Sequence, residues 1–490
     1  MRHLAWIALV LSACGGGKSP GVQSLDQLAN KCAAPRSGTD PVTGKAFPDG
    51  PGSLSNEKAF LRAWIDELYL WYREVPAADP NQSATAIDYF NALKTPATTP
   101  SGNPKDRFHF TQATVDWEQL SQSGVDAGYG VQFVLIASRP PRKLVVAYVE
   151  PGSPAAGKID RGADIQKIDG VAVLDGNPAP LNAGLSPAKL GETHTFDYKD
   201  VAGATHTVAL TSASITHVPV QSVGTVATGA NFKVGYMLFN DHLATAEKAL
   251  VDAVTTLKGQ GITELVLDIR YNGGGFLAIA SELGYMLAGP GATGSKFFEK
   301  TQYNDKYPTT DPFSGRALTP TPFYNTSVGL SVNQGAPLPH LDLQRVFVLT
   351  GKSTCSASES VINGLRGVDV QVVQIGGTTC GKPYGFVPQD NCGTTYFSIQ
   401  FQGVNAKGFG DYADGFEPGG ITPSGVAGCK VADDFTHALG DPAEARLAAA
   451  LQYRATQTCP PASASVAHGL TAGAGDGEAI RNFWRENRWQ

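Results

Sequence analysis

The chain has no basic stretch. Its 38 Lys and Arg are outnumbered by 44 Asp and Glu, a net charge of −6 over 490 residues. Clustered cations are what neutralise a phosphate backbone, so a nucleic-acid partner is excluded. Long apolar runs are missing too: the strongest, residues 4–13, is about half of what a membrane-spanning helix needs. No CxxC pair and no Cys/His cluster at ligand spacing occurs, so neither a metal nor an organic cofactor is expected. No internal repeat is visible, which argues against solenoids and propellers. What is present is an ordinary balance of 42% apolar and 17% charged residues, enough for roughly two to four domains.

The short apolar run follows Met1-Arg2-His3 and fits the hydrophobic part of a secretory signal. It ends in Leu11-Ser12-Ala13-Cys14, followed by three glycines. This ending resembles the lipobox of bacterial lipoproteins. The resemblance implies lipidation of Cys14, a membrane anchor, and a place in a bacterial cell envelope facing the periplasm or exterior. Setting Cys14 aside leaves six of the seven cysteines, an even number suited to disulfides in an exported protein. Cys380 and Cys392 would close a short hairpin loop and are the first candidates for a pair.

Residues 1–13 therefore read as a signal peptide and 14–53, rich in Gly, Pro and Ser, as a tether. Residues 54–118 read as a small helical domain: Ser55-Asn56 offers a cap before Phe60, Trp64, Leu68 and Tyr72, and a second helix covers residues 86–93. Residues 119–215 change to short strands separated by turns. From 223 to 455 strands and helices alternate, with strands at 234–239, 265–269, 346–349, 370–375 and 394–401. This pattern predicts an α/β core with a mixed sheet. Residues 456–490 read as a low-complexity tail with a short aromatic helix. Its Phe483, Trp484 and Trp489 suit either a solvated or partner-binding helix or docking in the chain's own cleft.

Within 119–215, Tyr129-Gly130-Val131-Gln132-Phe133 leads into a strand, then Ser153-Pro154-Ala155-Ala156, Arg161-Gly162-Ala163-Asp164 and a hairpin at Asp169-Gly170. The order resembles a PDZ domain, with Ala163 splitting the usual Gly-Asp pair. The resemblance implies that Tyr129, Gly130 and Val131 hold a peptide carboxylate while the peptide adds as a strand.

Three segments of the core carry chemistry. Ser356 opens a helix, where unsatisfied amides favour a developing negative charge. Alone it would read as a cap. Lys382 follows the next strand, and two successive strand ends at one sheet edge would bring the hydroxyl and amine into one crevice. A buried Lys can act as a general base. Upstream, Asp268-Ile269-Arg270-Tyr271-Asn272-Gly273-Gly274-Gly275 is a strand end whose glycines permit close approach to a substrate carbonyl.

Together these segments resemble the carboxyl-terminal processing (tail-specific) serine peptidases, with their "L-D-L-R-x-N-x-G-G", "S-A-S-E" and "G-K" motifs. Lys105-Asp106-Arg107-Phe108 and Gly419-Gly420-Ile421-Thr422-Pro423 extend the likeness over residues 54–455, with Ser424 where the family has Asp. The resemblance implies Ser356 as nucleophile, Lys382 as general base, and the amides of Ala357 and Gly274 as an oxyanion hole. Glu359 matches a residue that orients the Lys in some members, and equally suits a first-turn carboxylate favoured by the helix dipole. Cys355 and Cys380 flank the site. A His at position 109 with Glu417 is the alternative set, similar to the tricorn protease core. The expected partners are proteins or peptides with accessible C-termini. A non-catalytic PDZ-type peptide-binding scaffold is the second reading. A hydrolase of small esters or lipids is the third, disfavoured because no G-x-S-x-G surrounds Ser356.

Overall fold

The computed structural model describes residues 25–461 and 477–480. The expected leader, Cys14 and the aromatic residues 483, 484 and 489 lie outside the described residues.

Helix α1 (Leu54–Leu68) begins slightly earlier than the capping signal suggests. Ser53 is the cap, and its hydroxyl accepts from the Asn56 N–H. The helix buries Phe60, Leu61, Trp64, Ile65 and Leu68 along one stripe. Helix α2 (Ala86–Ala92), started by a Thr85–Asp88 capping box, packs Tyr89 and Phe90 into the same layer. Residues 25–53 depart from the expected tether. Leu28 is buried in the helical layer, Cys32 is bonded to Cys392, and Arg36 binds Asp49 through two hydrogen bonds of 2.9 and 2.7 Å. A covalent bond and an ion pair hold this segment, and neither leaves a periodic apolar pattern. Cys392 is thus not paired with Cys380: the disulfides are Cys32–Cys392, Cys355–Cys380 and Cys429–Cys459.

The β-rich module comprises β1 (Val131–Ala137), β2 (Lys143–Val149), β3 (Asp164–Ile168), helix α3 (Pro178–Leu185), β4 (Thr193–Lys199) and β5 (Thr205–Thr211). Its antiparallel sheet runs in the order β5-β4-β3-β2-β1. Strand alternation sends Phe133 and Leu135 inward against Phe196 and Leu181, and Val134 outward against Tyr271 and Phe435.

The larger sheet contains β6 (Val220–Gly229), β7 (Phe232–Phe239), β8 (Glu264–Asp268), β9 (Arg345–Thr350), β10 (Gln371–Gly376) and β11 (Gly428–Lys430) in that order. Only β6 and β7 are antiparallel. Helices α4 (Ala246–Gln260), α5 (Leu277–Thr293) and α6 (Ala357–Gly367) cover one face, where Leu265, Leu267, Val346 and Val348 point. Helix α7 (Ala445–Thr456) covers the other, above Val266, Phe347 and Leu349. Burial on both faces is why these strands read as continuous apolar runs. The expected strand at 394–401 is split: Thr394–Phe397 pairs with Phe110–Ala113, and Phe401–Val404 with Phe297–Gln302. Between them, Ile399 O accepts from the Leu70 N–H of the helical layer at 2.8 Å.

Just past β8, Arg270 is 1% exposed yet fully engaged. Its guanidinium donates to Asp268 Oδ1 at 3.0 Å, to Glu444 Oε1 and Oε2 at 2.7 and 2.9 Å, and to Asp433 Oδ1 at 2.8 Å. Arg161 of the β-rich module joins this cluster, donating to Asp433 Oδ1 at 2.9 Å and to the Tyr271 hydroxyl at 2.7 Å. Burial pushes the Asp433 carboxyl up, but Arg446, Arg270 and Arg161 outweigh it and hold the group well below the usual carboxylate range. Removing one partner from a buried ion cluster strands the remaining charges. Arg270→Ala is therefore expected to cost about 3–5 kcal/mol, read from the midpoint of urea unfolding.

Candidate active site

Strands β8, β9 and β10 end side by side, and the residues singled out from the sequence lie just beyond those ends. A cavity of about 320 Å³ opens there, between the core and the β-rich module. Ser356, Ala357, Lys382 and Gly274 line it from the core, and Tyr129, Gly130 and Val131 from the module.

Ser356 sits between β9 and α6 with φ 57° and ψ −118°, a backbone conformation that a non-glycine residue adopts only when its surroundings enforce it. Asn272 supplies much of that enforcement. Its carbonyl accepts from the Cys355 N–H and the Ser358 hydroxyl, both at 3.0 Å. Its side chain donates to Phe239 O at 3.0 Å and accepts from the Gly274 N–H at 2.9 Å. Gly274 has φ +89°, and a Cβ there would stand 2.7–2.9 Å from the Cys355 carbonyl, the Ala357 nitrogen and the Ser356 Cβ. Only glycine fits. The Gly274 N–H expected to face an oxyanion is thus engaged by Asn272 in this arrangement, whereas Ala357 is the first residue of α6, where amides lack helical acceptors.

Lys382 is 7% exposed, and its Nζ lies 4.0 Å from the Phe386 ring centre and 5.2 Å from that of Phe108. Asp106 helps place Phe108 by accepting its N–H at 3.0 Å, and Arg107 donates to Cys380 O. The Lys105–Phe108 motif thereby closes the wall around the amine.

Glu359 joins the two loops. Fully buried, its carboxylate accepts from the N–H groups of Ser356 at 3.0 Å and of Gly381 and Lys382 at 2.8 Å, and from the Thr379 hydroxyl at 2.5 Å. Burial pushes its pKa up, against the lowering by Thr379, Lys382, Gly381 and Ser356. It is at once a first-turn carboxylate that caps α6 at Ser356 and the group that binds the backbone of Lys382. The Cys355–Cys380 disulfide ties the same loops covalently. Cys355, Glu359 and Cys380 approach within ligand distance of one another, but their two sulfurs are bonded together and offer no thiolates to a metal.

Residues 233–390 match Peptidase family S41, and residues 56–110 match the Peptidase S41 N-terminal domain. Over these two segments the chain is similar to peptidase family S41. It is similar to a carboxyl-terminal-processing protease of Picosynechococcus sp., 30% identical over 172 residues, 34% of this chain and 39% of the relative. It is also similar to the chloroplastic carboxyl-terminal-processing peptidase 2 of Arabidopsis thaliana, 25% identical over 249 residues, 46% of this chain and 47% of the relative. The chain spans less than half the length of these curated relatives. Among solved structures, a putative S41 protease from Bacteroides fragilis shares the fold with a TM-score of 0.59 and 24% identity, covering 81% of this chain and 97% of that one.

The alternative pair lies elsewhere. His109 is 3% exposed, stacked on Phe90 at 3.7 Å between ring centres, with Nε2 at 2.9 Å from Phe90 O. Glu417 pairs with Lys430 at 2.5 Å. Neither is among the residues lining the cavity.

Two cavity residues escaped the sequence reading. His242, just past β7, places Nδ1 3.0 Å from Asn272 Oδ1 and sets the glycine turn, its carbonyl accepting from the Phe276 N–H at 2.9 Å. Its position just past a strand of the core sheet was the available signal. Glu299 lies in a strand without any motif, yet it is 4% exposed, lines the cavity and accepts from the Ser360 hydroxyl at 3.0 Å. Burial pushes its pKa from 4.5 to about 7, offset only in part by Ser360. The unfolded chain ionises this group first, so folding stability falls as pH rises from about 4.5 to 7 and stays lower above that window. Glu299→Gln is expected to flatten this fall relative to wild type, measured as urea midpoints at both ends of the window.

Proposed function

We propose that the chain is an exported serine endopeptidase that cleaves protein substrates through an acyl-enzyme on Ser356, with Lys382 as general base. The observation that carries this reading is that Ser356 and Lys382 line one cavity, on loops that Glu359 and a disulfide hold together. In the proposed reaction the Ser356 hydroxyl attacks the scissile carbonyl while the Lys382 amine takes its proton. The ammonium then returns that proton to the leaving amine, and the neutral amine next activates the water that releases the acyl group.

The tetrahedral oxyanion is held by the Ala357 N–H and by Gly274, once the latter releases Asn272 Oδ1; the positive φ of Gly274 allows that peptide to turn at small cost. Glu359 is a positioning residue in this scheme, because its contacts are to backbone amides of the reacting residues.

The β-rich module acts as the PDZ-like receiver of a substrate tail, with Tyr129, Gly130 and Val131 as the carboxylate turn. Its support is the shared cavity and the Tyr129 hydroxyl bound to Gly184 O of α3 at 2.9 Å, which braces the groove. Three disulfides support an oxidising compartment, and Cys14 is the proposed lipid anchor to the bacterial envelope. Among the described residues no helix is long and apolar enough to cross a membrane.

Ser356→Ala and Lys382→Ala are each expected to lower cleavage of an unstructured polypeptide with an apolar tail by about a thousandfold or more. Circular dichroism and the unfolding midpoint should stay unchanged. Cleavage retained by purified Ser356→Ala overturns the reading.

A further inference from the structure

The groove of the β-rich module is already occupied by the chain itself. Strand β12 (Glu478–Ala479) pairs antiparallel with β1, on the edge opposite β2, with Glu478 across from Leu135 and Ala479 across from Val134. The Ile480 N–H donates to Phe133 O at 2.8 Å, and Gln132 Nε2 donates to Ile480 O at 2.7 Å. Side chains fit as well as backbone. Ala479 is 2% exposed against Val134, Val145, Tyr271 and Phe435, and Ile480 packs on the module core and lines the cavity that holds Ser356. Gly477 lies so close to β1 that a Cβ would stand 2.2 Å from a Val134 methyl.

Direction adds to the argument. Passing from Glu478 to Ile480, the segment descends β1 from Leu135 to Phe133, toward the turn at Tyr129, Gly130 and Val131. This is the path on which strand addition delivers a peptide to a carboxylate turn. The segment also touches the nucleophile loop, since the Ala479 N–H donates to the Ser353 hydroxyl at 2.8 Å, three residues before Ser356.

We propose that residues 477–480 are a tethered strand ligand of the β1 groove, which an incoming polypeptide must displace before its own chain reaches Ser356. The inference rests on the proposed reading of the groove as the substrate receiver. It names the chemistry of the strand the groove takes: a residue without a side chain, then an exposed acidic one, then a small buried one, then a branched apolar one. A tethered ligand competes at an effective concentration of about the millimolar range, so an untethered peptide of the same sequence is held off.

The test uses full-length protein carrying Ser356→Ala, so that binding is read without cleavage. The probe is a fluorescein-labelled synthetic peptide with the sequence of residues 477–490, titrated by fluorescence anisotropy. Two further forms are compared: one carrying Ile480→Pro, which removes the N–H given to Phe133 O, and one lacking residues 477–490. Unfolding midpoints check that each form is folded, and the proline form serves if the shortened one is not. Binding at least tenfold tighter to the altered forms is the expected result. Equal affinity across all forms, or no binding to any, overturns the proposal. Cleavage by the Ser356 chain is a separate measurement, so a failure of the peptidase reading and a failure of the tethered strand are told apart.

Discussion

A single carboxylate with no access to water holds the candidate site together. Glu359 accepts three backbone amides and a hydroxyl, and those donors belong to the two loops that carry Ser356 and Lys382. Such a group is costly to bury and is tolerated only when its acceptor positions are filled. The demand works in both directions. The loops must keep their amides aimed inward to satisfy the carboxylate, and in doing so they fix the Ser356 backbone in a conformation it would not choose. The Cys355–Cys380 bond then shortens the list of alternatives open to those loops. Strain at Ser356 is the counterpart of satisfaction at Glu359.

The second constraint lies on the opposite side of the same turn. Asn272 binds Phe239 O at the end of β7, the glycine turn after β8 and the loop after β9, so three neighbouring strand ends share one buried amide. Two residues earlier, Arg270 is fixed by three carboxylates, and one of these also receives Arg161 from the β-rich module. Tyr271, between Arg270 and Asn272, bonds to Arg161 and to Asp433. The module is thus bonded to the segment whose next residues are the glycine turn. A shift of the module along this contact would disturb charges that have no solvent to turn to, which makes the contact resistant to small sliding motions.

Much of this was legible from the sequence because it depends on strand order. Apolar runs at 265–269, 346–349 and 370–375 become adjacent parallel strands, and residues just past their ends must share an edge. That Ser356, Lys382 and the glycine turn share one edge follows from this order, whereas the roles expected of them came from the family resemblance. Features that depend on long-range pairing were not legible. Cys380 and Cys392 are near in sequence, yet Cys392 bonds to Cys32 across 360 residues, because residues 25–53 fold back on the helical layer. His109 sits beside a recognisable motif, but it is packed against Phe90, and no local pattern reports on which side of a strand a neighbouring helix lies. Glu299 has no motif at all; its significance comes from burial beside Ser360, which only packing reveals.

The edge of β1 explains why the module and the core share one cavity. A strand with unpaired amides on one side invites another strand, and natural sheets cover or block such an edge. Here the cover is four residues from a distant part of the chain, and their amides satisfy both the module, at Phe133, and the nucleophile loop, at Ser353. Any polypeptide that takes the same edge in the same register meets the same two acceptors. It would then be hydrogen-bonded at once to the surface that selects it and to the loop that carries Ser356.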